Sequence, residues 1–488
     1  MSQHSSSPAS HTTPSDGPAH LRKTLGPVTL WGLGVGYVIS GDYFGWNLGL
    51  AAGGSGGLLI AFLLMSTMAV AFVFSYTEMA CAIPRAGGVF VYATRGLGTA
   101  VGFLGGTAQA IEFLFAPPAI AMAIGTYVNQ WFPDFDRRHT ALVAYLAFTA
   151  LNMWGVRQAA AFELFVTVMA VAGIALFAGI ALPHFQLANY TANAFPQGAG
   201  GILAAIPFAV WFYVAIEGVA NAAEEARNPQ RDVALGFGFA ILTLVLLGGI
   251  VLGGSVGVGG WERAVYEDHH LSINDSGLLA IGRDATPADN PLLLAASQVI
   301  SPESKLFHAL VGIGLLGFIA SFNGIVLVAG RALFDMGRVG FLPHVLGRAH
   351  PRTGTPVNAL ALNFAIGVVS IYFLDTAGLI TMSALAAVTL YIISMTALFA
   401  LRRHEPDLPR PYRTPFYPLL PAVAMLLATL ALLMMLYGNY NLAGADNLFE
   451  RWLSVWYVTI LAAAMLYYYG IVRRRLTAAD RAQFGRVE

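Results

Sequence analysis

The chain has 488 residues, 57% of them hydrophobic and only 11% charged, and its 26 Lys and Arg balance its 26 Asp and Glu. Soluble proteins carry about 25% charged residues, so this composition excludes a soluble protein, and the zero net charge excludes a strongly basic nucleic-acid surface. Cys81 is the only cysteine, which excludes an intrachain disulfide and a cysteine-based metal centre.

In chain order, residues 1–24 come first, rich in Ser, His, Pro and Thr. They have no apolar core and read as a disordered tail rather than a cleavable signal peptide, with His4, His11 and His20 solvated. A bilayer needs about 20 apolar residues per helix. Twelve such stretches follow, at 27–53, 57–82, 99–131, 140–156, 159–182, 202–224, 233–259, 306–335, 356–374, 377–401, 417–437 and 453–472. The expected fold is therefore an all-α membrane protein of twelve transmembrane helices: a ten-helix core over 25–401, two accessory spans over 402–472 and a tail over 473–488. If the spans alternate, 20 of the 26 Lys and Arg fall on the side of the amino terminus. Cations favour the cytoplasmic face, so both termini are expected inside.

Two spans look broken. The first carries Gly32, Gly34, Gly36, Gly41 and Gly45, and Ser40-Gly41-Asp42 at its centre reads as an unwound segment. The sixth runs from an apolar start through Glu217-Gly218 to a polar end. Interruptions five spans apart, one opening each half, are the pattern of a secondary transporter built as a five-plus-five inverted repeat with its site at the midplane. In the third span, Pro117 and Pro118 are expected to kink the helix one turn beyond Glu112.

Asp42, Glu112 and Glu217 lie in mid-span with no Lys or Arg in the middle of the first, third or sixth spans. An ionised side chain at the bilayer centre costs about 2.5–3.5 kcal/mol, which makes such residues functional candidates. Each could hold a cationic substrate, or be neutral or hydrogen-bonded to the unwound backbone. Glu78, Glu163 and Glu224 lie nearer span ends and read as solvated or interfacial. Tyr43, Phe44, Trp46, Trp211, Phe212 and Tyr213 flank the two breaks, and such rings attract ammonium groups. No nucleophile–base pair, HExxH spacing or nucleotide loop suggests an enzyme, no cofactor is implied, and no appended domain suggests a sensor.

The stretches VISGDYF, IPRAGGVFVYATRGLG, AIEGVANAAEEARNPQRD and GRVGFLPHVLGRAHPRTGTPVNAL resemble the amino acid-polyamine-organocation superfamily of permeases. On ISGDYFGWN, AIEFLFAPPAIAMAIGTY and IPFAVWFYVAIEGVANAAEEARNP, the chain is most similar to its ethanolamine permeases. The resemblance implies the leucine-transporter-like inverted repeat, with substrate between the first, third, sixth, eighth and tenth helices. Amino acid members commonly carry IGSGIF in the first helix, where backbone amides receive the substrate carboxylate. Set on Ile39 to Phe44, that pattern puts Asp42 on its second glycine, where a carboxylate would repel an amino acid's own.

Glu217 matches the family's acid in the sixth helix and Trp211 its aromatic gate, while Ala215 replaces a glycine two residues before the acid. Ala170 stands where some proton-coupled members have lysine, which argues against a lysine-based proton mechanism. The expected substrate-binding set is Ser40, Gly41, Asp42, Tyr43, Phe44, Glu112, Trp211, Tyr213 and Glu217. The expected partners are a small-molecule amine and the lipid bilayer, with a coupled proton or sodium ion left open and no metal site.

Overall fold

A computed structural model describes residues 24–85, 87–155, 160–273, 279–441 and 452–476. The expected tail up to Lys23 and the tail after Leu476 lie outside these residues, as does the side chain of Glu224. The chain begins with α1 (Pro27–Val38), whose proline occupies the first turn, where no N–H is needed. One helical turn, α2 (Ser40–Tyr43), follows. Phe44 is then extended and Gly45 takes φ 91° before α3 (Trp46–Ala82) begins. Gly54, at φ 69°, breaks α3 at the expected end of the first span.

The amphipathic α4 (Val89–Leu97) leads to α5 (Thr99–Val128), which carries Pro117 and Pro118 inside one continuous helix. Next come α6 (Arg137–Trp154), capped by Asp136, α7 (Ala160–Ala181), α8 (Leu187–Thr191) and α9 (Gly198–Trp211). A 3-10 segment, Ile216–Glu225, separates α9 from α10 (Pro229–Gly259). Short α11 (Trp261–Val265), a hairpin of β1 (Leu271–Ile273) and β2 (Leu279–Ile281), and α12 (Pro291–Ser297) cross to α13 (Lys305–Arg338). The chain ends with α14 (Val357–Phe373), α15 (Thr376–His404), α16 (Leu419–Asn441) and α17 (Leu453–Tyr467).

Among the described residues, nine helices are long and apolar enough to cross a membrane, and α1 and α14 are shorter apolar helices. The protein is mostly helical, and its hairpin is the one departure from the all-α expectation among the described residues. α5, α9, α13 and α15 are buried over most of their length, whereas α16 and α17 are largely uncovered. Both pack one face on the bundle, through Ala424, Ala428 and Met435 of α16 and Leu453 and Tyr457 of α17.

Glu78 and Glu163 correct the expectation of solvated acids, for both are buried. Helix-end position indicates depth, but not which neighbours cover the side chain. Glu78 receives Arg402 through two bonds (2.8 and 2.5 Å), Arg410 at 3.2 Å, and both the N–H and hydroxyl of Thr414 at 2.8 Å. Arg402 also lies 3.8 Å over the Tyr417 ring. This cluster ties the end of α3 to the end of α15 and the segment beyond it. Removing one partner of a buried ion pair costs about 3–5 kcal/mol. Glu78→Ala is therefore expected to lower the apparent melting temperature of detergent-purified protein markedly, with Glu78→Gln intermediate because it keeps hydrogen-bonding capacity.

Candidate functional site

The two interruptions touch. A Cβ on Gly41 would stand 2.7 Å from the Trp211 carbonyl oxygen and 3.2 Å from the Phe212 Cα, so only glycine lets α2 reach the end of α9. The break in the first span lies at Phe44–Gly45, two residues beyond the expected Ser40-Gly41-Asp42, which instead forms a helical turn. Hydrocarbon cannot satisfy the backbone groups freed there, and side chains do so. The Trp211 indole N–H donates to the Phe44 carbonyl (3.1 Å), the Trp46 indole to the Asp42 carbonyl (3.1 Å), and Gly45 N–H to Asn47 Oδ1 (3.0 Å). From α13, Ser321 accepts from Ser40 N–H (3.0 Å) and donates to the Gly36 carbonyl (2.6 Å).

In the sixth span the break runs from Phe212 to Ala215, and Ala215 adopts φ 73°. This left-handed conformation costs an L-residue about 1–2 kcal/mol, and it falls on the position where the family pattern has glycine. Glu112 Oε1 accepts the Ala215 N–H at 2.9 Å, fixing the strained peptide from α5. Ser383 of α15 donates to the Glu112 carbonyl (3.0 Å).

The three mid-span acids form two centres. Glu112 and Glu217 meet, with Tyr391 beside Glu217. As two carboxylates they have only acceptors to offer, and among the described residues Glu112 Oε2 and both Glu217 oxygens have no donor. One proton placed between them would supply it. Asp42 is fully buried, neither of its oxygens has a hydrogen-bond partner among the described residues, and its charge acts on Tyr43 and Tyr213. Tyr213 joins the centres, its hydroxyl bonded to Ser66 (2.6 Å) and its carbonyl accepting from Tyr391 (3.4 Å).

An aromatic cluster covers the break. Phe44 meets Trp211 and Phe318 edge-on at 5.5 Å, and Phe318 also contacts Tyr43 (5.7 Å) and Tyr127 (4.7 Å). Ser40, Gly41, Asp42, Tyr43, Phe44, Trp211 and Tyr213 therefore lie on the two contacting breaks, with the Tyr43 hydroxyl donating to the Ala170 carbonyl (2.6 Å), and Glu112 reaches the second break through Ala215. Sequence reasoning missed Ser66, Phe318, Ser321, Ser383 and Tyr391. The polar ones stand out only as hydrogen-bonding groups in apolar spans; which break they serve depends on helix packing.

The site is tied at both ends. Where α1 starts, Leu25 bridges Ala226 in strand-like fashion, with Thr24 N–H on the Glu225 carbonyl (2.9 Å) and Arg227 N–H on the Leu25 carbonyl (2.8 Å). At the other end, Asn47 donates to the Ala288 carbonyl (2.7 Å), and Asp289 binds Arg137 (2.9 Å) and Thr376 (2.8 Å). Burial pushes the Asp289 carboxyl above its ordinary value, against the pull of Arg137. Acidification therefore neutralises this ion pair earlier than it would an exposed one. The sign for stability is opposite, since a proton held more tightly in the folded state favours folding as pH falls.

Contacting interrupted helices, backbone groups satisfied by side chains and buried acids in an apolar bundle are the features of a multi-pass membrane protein. The chain belongs to the amino acid permease family, whose profile matches residues 25–465. It is 26% identical to a methylthioribose transporter of Bacillus subtilis, over 89% of this chain and 92% of the relative. It is 24% identical to a branched-chain amino acid permease of the same organism, over 84% and 87%. A vacuolar cationic amino acid transporter of Arabidopsis thaliana is 26% identical, over 81% of this chain and 66% of the relative.

Proposed function

We propose that this permease imports a small organic amine, ethanolamine above all, across the plasma (inner) membrane by alternating access, with both termini cytoplasmic. Twelve spans result when α1 is joined to the part of α3 before Gly54 and α6 and α14 are counted, and the two interrupted spans would open the halves of a five-plus-five inverted repeat. The relatives' names cover a thioribose, branched-chain and cationic amino acids, so cargo must be argued from this chain's own site.

One observation carries the reading: Asp42 places a fully buried carboxyl, unpartnered among the described residues, in the helical turn just before the first break, on the position where the IGSGIF pattern has its second glycine. An ammonium group would satisfy it, with Tyr43 and Tyr213 alongside and Trp211 closing over the cargo. Glu112 and Glu217 would add negative potential or bind the hydroxyl. A site that hydrogen-bonds a hydroxyl rejects analogues lacking one, so ethylamine should compete poorly. Entry of one positive charge down 100 mV yields about 2.3 kcal/mol, roughly fiftyfold accumulation without a coupled ion.

The test is uptake of labelled ethanolamine into proteoliposomes by wild type, Asp42→Asn and Asp42→Gly. Loss of about tenfold or more in both variants is expected, as from removing an interaction of 1.4 kcal/mol. Normal transport by both would make Asp42 structural. Competition by alanine or putrescine would instead favour an amino acid or polyamine exchanger.

A further inference from the structure

Glu163 is the buried acid that the substrate reading leaves unused. It lies in the first turn of α7, is 3% exposed, and neither oxygen has a hydrogen-bond partner among the described residues. Its carboxyl faces bare backbone on two helices: a Cβ on Gly36 of α1 would stand 2.9 Å from Oε1, and one on Gly324 of α13 would stand 3.7 Å away. The hydroxyls nearby have already committed their protons, Thr167 to the Gly32 carbonyl (3.0 Å) and Ser321 to the Gly36 carbonyl.

The titratable group facing it from α1 is Tyr37, which also feels Arg331 of α13 and Glu225 at the end of the 3-10 segment. Arg331 is engaged with Glu225 at 3.7 Å. No charged side chain of α10, which also packs along α7, acts on Glu163, and α12, which touches α7 as well, carries none. Among the described residues, an ionised carboxyl here therefore has neither donor nor cation. A proton would supply the missing donor and needs none of the volume of a metal ion.

We propose that Glu163 is a proton-binding site at the seam of α1, α7 and α13. Protonated, it lets α1 lie against α7; ionised, it draws water into the seam and frees α1 to swing. On release, the carboxyl O–H bond breaks, its electron pair stays on the carboxylate and the proton passes to water. The direction of release, towards the cytoplasm, rests on the orientation proposed above; the site itself does not.

The experiment compares full-length wild type, Glu163→Gln and Glu163→Asp in lipid by two readouts that need no cargo. In infrared difference spectra after a pH jump, one protonated-carboxyl component should vanish in Glu163→Gln and persist, shifted, in Glu163→Asp. Hydrogen exchange over residues 27–38, corrected for intrinsic chemistry, should rise about tenfold with pH in wild type, as expected for local opening, and stay flat in Glu163→Gln. Identical spectra or pH profiles in wild type and Glu163→Gln would overturn the proposal. So would suppression of the exchange by sodium or lithium at high pH, which would assign the site to an alkali cation. If wild type takes up no ethanolamine while the Glu163 band is still lost, the cargo reading fails and the proton site stands.

Discussion

Glu112→Leu is expected to cut transport by about ten- to a hundredfold, whereas Glu112→Gln retains the fold and much of the activity. Leucine fills a similar volume but leaves the Ala215 N–H without its acceptor. An unsatisfied buried donor costs about 1–3 kcal/mol, at a residue whose left-handed backbone is already strained. Glu217 also loses the carboxyl it meets and becomes a lone buried acid. Glutamine supplies both groups, an amide oxygen for Ala215 and an amide N–H for Glu217, and so reproduces the singly protonated pair in fixed form. Uptake and thermal unfolding of the two variants side by side check this. Equal loss in both would mean that the titrating carboxyl matters rather than the bond to Ala215, and wild-type behaviour of both would remove Glu112 from the site.

The spans were legible because about 20 consecutive apolar residues have few soluble alternatives, and nearly every expected span has a helix within a few residues. The break in the first span was misplaced by two residues because glycine has two uses. Gly45 supplies a positive φ, whereas Gly41 supplies an absent side chain for a close approach. Composition does not distinguish them. Ala215 shows the converse: a residue that usually avoids the left-handed region marks the second break, because Glu112, some hundred residues away, holds its peptide there. The misreading of Glu78 has the same origin, since its arginine partners come from the end of α15 and beyond. What the sequence hides in this chain is chiefly long-range polar pairing.

That distinction makes Gly41 the sharpest test of the site's construction. The methyl of Gly41→Ala would meet the Trp211 carbonyl oxygen at 2.7 Å and the Phe212 Cα at 3.2 Å, and both are backbone atoms that no rotamer change can move. Overpacking of this kind costs about 1–3 kcal/mol, and relief requires parting α2 from the end of α9. Parting them would also pull Trp211 from the Phe44 carbonyl and expose the freed backbone groups. Gly41→Ala should therefore lose about tenfold or more of the uptake of the proposed amine cargo, and Gly41→Val essentially all of it, while the protein still inserts and purifies. Gly249→Ala in α10, where an added Cβ meets nothing within 4 Å, is the matched control and should transport normally. If Gly41→Ala also transports normally, the two breaks separate freely during the cycle, and their contact belongs to one conformation rather than to the mechanism of binding.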